Sequence, residues 1–106
     1  MKVIIQVSEK EKIPMGNIVG THIAILKDVE TIEVVFLESA IIAVTNEEMI
    51  KPLLEEQKII VMACRTSMEL NHIKESDLVK GVSPTSQGGF IEIIRRQQEG
   101  WFYIHV

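Results

Sequence analysis

A chain of 106 residues, 46% hydrophobic and 25% charged, fits one domain around a single modest core. Fifteen acidic against eleven basic residues leave a formal charge of −4, which argues against a nucleic-acid or anionic-membrane surface, since both draw on clustered Lys and Arg. A single cysteine excludes an internal disulfide, and neither a signal peptide nor an apolar run of bilayer length is present, so the chain reads as cytoplasmic, with no nucleic-acid or membrane partner.

Lys2–Val7 is an apolar, β-branched run that suits a buried strand. The charged segment Ser8–Ile13 reads as a loop. Pro14 suits the first turn of a helix, and Met15, Ile18, Val19, His22, Leu26 and Val29 follow at helical spacing as its core face. Gly16, Gly20 and Ala24 recur every four residues on the same helix, which fits either close packing on a sheet or close approach of another helix or ligand; packing on the sheet is preferred. Thr31–Leu37 is a second strand, and Ala40–Val44 is ambiguous between helix and extended chain. Thr45 stands three residues before Glu48 in the capping-box pattern. Met49, Ile50, Leu53, Leu54 and Gln57 then carry a helix weakened by Pro52.

Lys58–Ala63 is a third strand with no polar side chain from Ile59 on, the pattern of a central parallel strand covered on both faces. A short helix spans Thr66–Asn71, a further turn Glu75–Val79, and a brief strand lies near Val82–Ser83. Gly88-Gly89 lead into a helix with Phe90, Ile93, Ile94 and Gln97 on one side. Gly100 ends that helix, and Trp101–Val106 is the last strand. Strands alternating with helices define an α/β sandwich around a mostly parallel sheet. The apolar connection Phe36–Val44 and the aromatic C-terminal strand are candidate subunit interfaces.

Sites in open parallel sheets lie at the carboxyl ends of the strands, and Cys64 directly follows the third strand. Thr66-Ser67-Met68-Glu69 is a second capping-box pattern, which starts a helix at Thr66. The thiol then lies near unpaired N–H groups at a helix N-terminus, with Arg65 adjacent, and such surroundings favour the nucleophilic thiolate. The competing reading is a buried cysteine that serves only as a small hydrophobe.

The segment Ala63-Cys64-Arg65-Thr66-Ser67-Met68, the downstream Ser76-Asp77-Leu78 and the ending Gly89–Ile104, with its Gln97-Gln98-Glu99-Gly100-Trp101 run, resemble the DsrE/DsrF-like family over nearly the whole chain. The resemblance implies a three-layer α/β/α sandwich on a five-stranded sheet and assembly into homo-oligomers, trimers or hexamers. It also implies a sulfur relay, in which Cys64 holds sulfane sulfur as a persulfide received from a donor protein and passed to an acceptor. Cys64 is then the catalytic residue, in a sulfurtransferase-like role, with Arg65, Thr66 and Ser67 as ligand-binding neighbours. Two positions depart from the family pattern: Phe36-Leu37-Glu38-Ser39 stands where relatives often have a His-Gly turn, and Arg65-Thr66 where many have Asn-Thr. The alternative is a non-catalytic oligomeric binding module with a structural cysteine.

Other chemistry finds little support. His22 falls on a core-facing helical position, His72 in a turn and His105 in the last strand, without zinc-motif spacing to Cys64, so no metal site is expected. The glycines match neither a phosphate-binding loop nor the dinucleotide fingerprint, so no cofactor is expected. Gly88-Gly89 could present N–H groups to an anion, although a simple strand-to-helix turn is the preferred reading.

Overall fold

In a computed structural model describing residues 1–106, five strands form a single sheet, all of whose neighbours run parallel. They are β1 (Lys2–Val7), β2 (Thr31–Phe36), β3 (Ile59–Ala63), β4 (Val82–Pro84) and β5 (Phe102–His105), in the order β4-β3-β2-β1-β5. Parallel neighbours need crossovers. These contain α1 (Ile13–Ala24), α2 (Glu47–Leu54), α3 (Arg65–Leu70) and α4 (Gly89–Gln98), with shorter 3-10 turns at Lys10–Lys12, Glu38–Thr45 and Glu75–Asp77. The result is an α/β/α sandwich. No helix is long and apolar enough to cross a membrane.

The main core joins alternate residues of the strands, Val3, Ile5 and Val7 with Ile32, Val34 and Phe36, to α1, α2 and the turn at Glu38–Thr45. The opposite face carries a smaller core of Ile4, Val35, Leu37, Cys64 and Ile93 beneath α4. This second layer is a single helix over β1, β2 and β5. That coverage corrects the reading of β3 as a strand covered on both faces: β1 and β2 are the buried pair, and Ile60 of β3 is 44% exposed.

α1 is set by its small residues rather than by its large ones. Gly16, Gly20 and Ala24 are buried with Ile13, whereas Met15, Ile18 and Leu26 are exposed, as is His22, which had been expected in the core. A Cβ on Gly16 would lie 2.8 Å from Val7 Cγ2, and one on Gly20 3.0 Å from Leu53 Cδ2. Close approach to the sheet is bought by the absence of those side chains, so the glycine stripe, and not the apolar period, chooses the inner face.

Three further expectations change. The connection Phe36–Val44 is not an exposed interface, because Ala40, Ile41, Ala43 and Val44 fold into the main core and Ile42 is its one exposed apolar side chain. The capping box at Thr45 does not form: Asn46 occupies the N-cap without a side-chain bond, and Thr45 Oγ1 donates to the Ile42 carbonyl at 3.3 Å. α4 turns charge inward. Its sheet-facing positions are Gly89, Glu92, Ile93 and Arg96, while Phe90 and Ile94 are 55% and 52% exposed. The reason lies in β2, where Glu33 is buried on this face and Arg96 reaches to within 3.5 Å of its carboxyl. Gly100, at φ 92°, closes α4 as anticipated, with the Trp101 N–H on the Arg96 carbonyl and the Gly100 N–H on that of Gln97.

Candidate functional site

Cys64 extends β3 by one residue, its N–H donating to the Phe36 carbonyl at 2.9 Å. Its backbone then stays extended, at φ −60° and ψ 116°, and the residue becomes the N-cap of α3. The helix therefore starts at Arg65, and the cap is the thiol sulfur rather than the Thr66 hydroxyl expected from the sequence. Ser67 N–H donates to Cys64 Sγ at 3.4 Å. A second donor arrives from a distant part of the chain: Gly89 N–H, at the first turn of α4, meets the same sulfur at 3.1 Å.

The two glycines before and within that turn make this possible. A Cβ on Gly89 would lie 3.0 Å from Cys64 Cβ and 3.2 Å from Sγ, and one on Gly88 would lie 3.0 Å from Thr66 Oγ1. Gly88-Gly89 thus lets the positive end of α4 close onto the thiol, a role the sequence reading weighed and set below that of a simple turn. A sulfur accepting two backbone N–H groups sits where negative charge is stabilised.

Cys64 is buried at the base of a cavity of about 380 Å³ at the carboxyl ends of β2 and β3, between the starts of α3 and α4. Leu37, Leu70, Phe90 and Ile91 give it apolar walls, and Glu38 and Thr66 add polar groups. Ser67 supports the opposite wall as well as the sulfur. Its Oγ accepts the Glu38 N–H at 2.8 Å and holds that residue at φ 51°, a left-handed conformation uncommon outside glycine.

Of the residues singled out from sequence, Cys64, Thr66 and Ser67 come together around the cavity. Arg65 does not join them. Its N–H and Nε bond Thr85, at Oγ1 (3.0 Å) and at the carbonyl (2.8 Å), and Nη1 pairs with Glu75 at 3.2 Å. The guanidinium therefore anchors the loop after β4, which leads to Gly89. The three histidines are all exposed, and no group of three or more His, Cys, Asp or Glu side chains gathers as a metal site would. Leu37, Gly89 and Phe90 were missed as site residues. Only the Gly-Gly step was a visible signal, since the other two are placed by tertiary packing.

Fold and site together define a five-stranded, all-parallel α/β sandwich with a buried cysteine at the end of an inner strand. No protein-family model matches the chain, and no curated protein matches it significantly in sequence. Solved structures do. MTH1491 from Methanobacterium thermoautotrophicum, described as a protein of unknown function, superposes with a TM-score of 0.83 at 26% identity, over 99% of this chain and 98% of that one. BT1422 from Bacteroides thetaiotaomicron, also of unknown function, gives 0.75 at 16% identity over 99% and 94%. The ychN protein of E. coli gives 0.70 at 13% identity over the full length of both chains. The chain has the fold these proteins share.

Proposed function

We propose that this chain is a sulfur-relay protein that carries sulfane sulfur as a persulfide on Cys64. The observation that carries the reading is the pair of backbone N–H groups, from Ser67 and Gly89, converging on one sulfur beside an apolar cavity. The DsrE/DsrF-like pattern around Cys64 and at the C-terminus supports it.

In the first step the Cys64 thiolate attacks the terminal sulfur of a donor persulfide. The donor S–S bond breaks, the donor leaves as a thiolate, and a new S–S bond forms on Cys64. In the second step an acceptor thiolate attacks that terminal sulfur and Cys64 departs as thiolate, so no external oxidant or reductant is consumed. The N–H pair stabilises the anionic sulfur in both directions. With one cysteine per chain, donor and acceptor thiols come from other molecules, as suits a protein of a reducing cytoplasm.

Assembly into a homo-oligomer, a trimer or hexamer, belongs to the same proposal. The outward apolar side chains of α4 beside the cavity, Phe90, Ile91 and Ile94, are the surface that a second copy would cover. The test of the chemistry is mass. Incubated with inorganic polysulfide, the wild-type chain is expected to gain one sulfur atom and the Cys64→Ala variant none. No gain in the wild type would leave Cys64 as a structural residue of a binding module.

A further inference from the structure

The charged residues that α4 turns inward belong to no part of the cysteine site, yet they sit on the helix that delivers Gly89 to it. Glu33 of β2 is 1% exposed, and its strand neighbours at the same level, Ile4 on β1 and Ile60 on β3, are hydrocarbon. From α4, Arg96 reaches it at 3.5 Å from both Nε and Nη2. The same guanidinium holds Glu92 Oε2 at 3.0 Å and Glu99 Oε1 at 3.0 Å. Glu33 Oε2 is buried and accepts no hydrogen bond.

The remaining groups near this cluster are accounted for. The Trp101 ring stacks under Arg96 at 4.8 Å and has Lys2 at 5.7 Å. From β5, the Tyr103 hydroxyl is engaged with Gln6. Three carboxyl groups therefore share one guanidinium, Glu33 reaching it from the sheet and Glu92 and Glu99 from the helix. Burial, the adjacent Glu92 carboxyl and its charge push Glu33 up to about 8, with Arg96 acting in the opposite direction. A proton on Glu33 leaves Glu92 as the nearer carboxylate on Arg96, at 3.0 Å. Its loss places two carboxylates beneath α4, which repel.

Glu92 lies one turn from Gly89, so a change in the seat of α4 at Glu92 is felt at the amide on Cys64 Sγ. We propose that Glu33 is a positioning residue for Cys64: its uncharged form beneath the Arg96–Glu92 pair seats α4 on the sheet, and that seat holds the Gly89 N–H against the sulfur. The chain is then a pH-gated thiol, closed over its sulfur at neutral pH and loosened when Glu33 ionises. The functional part of this inference rests on the reading of Cys64 as the sulfur carrier; the linkage between Glu33 and Gly89 does not.

The test separates the two. In a Cys64→Ser background the site carries no thiol to titrate, and the Gly89 amide resonance is followed from pH 6 to 9.5. An inflection near pH 8 is expected. It should vanish when Glu33→Gln is added and move to lower pH with Glu92→Gln, which keeps the test alive if either variant folds poorly. A Gly89 amide without that inflection, or one unchanged by both substitutions, overturns the linkage. In the wild type, the rate of Cys64 alkylation against pH should show a second inflection near pH 8 that Glu33→Gln removes. Superimposable profiles would likewise overturn it. An amide inflection in a protein whose Cys64 takes up no sulfur would uphold the linkage and reject the sulfur-carrying role alone.

Discussion

Cys64, Gly89 and Glu33 show how differently single residues speak from a sequence. Cys64 was legible, because the end of an apolar strand in a parallel sheet is where sites form. Gly89 was half legible: a Gly-Gly step before a helix signals close approach, but its partner lies 25 residues away and is fixed only by the sheet order. Gly89→Ala should therefore destabilise the fold by about 1–3 kcal/mol, since its Cβ would press on Cys64, and should slow alkylation of the thiol. Urea unfolding and a timed iodoacetamide reaction check the two effects. Glu33 carries no local signal, being a lone acid within the apolar strand Thr31–Phe36. Its folded value of about 8 lies above the ordinary 4.5, so the native chain keeps a proton that the unfolded chain has lost between those limits. The stability it contributes is fully present below about pH 4.5 and is lost as pH rises through about 8, at up to about 1.4 kcal/mol per pH unit. Glu33→Gln mimics the protonated side chain and should flatten that decline, read as urea midpoints at pH 5, 7 and 9.

The strands were the clearest elements. β-branched runs at Lys2–Val7 and Thr31–Phe36 need both faces covered, and they became the central pair. The helices were legible in position but not in orientation. Periodicity assigns the inner face to large apolar residues, and in α1 that rule loses to the steric gain from Gly16 and Gly20 against Val7 and Leu53. Gly16→Ala is accordingly expected to destabilise by about 1–3 kcal/mol, outweighing the roughly 1 kcal/mol that alanine gains in helix propensity. Val7 is β-branched and buried and has no easy way to yield. A thermal melt decides, and a rise in midpoint would contradict this account of the α1–sheet contact. In α4 the rule loses again, to a buried ion cluster whose members are 63 residues apart and invisible to any local window.

At the scale of the molecule, one face of the sheet carries a full layer and the other a single helix whose first two turns expose Phe90, Ile91 and Ile94. Such a surface suits burial against another copy. Ile94→Glu, at an exposed position outside the core, is expected to lower the native mass to that of the monomer while leaving the unfolding midpoint of the monomer little changed. An unaltered oligomer would move the interface elsewhere. In the cavity beside that surface, the proposed function requires that the sulfur on Cys64 be both received and surrendered. The direct measurement loads the chain with polysulfide, removes the donor, adds a small aliphatic thiol and follows intact mass over time. One added sulfur atom per chain is expected, and it should leave at the rate the acceptor becomes persulfidated. A chain that never gains the atom, or gains it and keeps it in the presence of excess thiol, would contradict the proposed function.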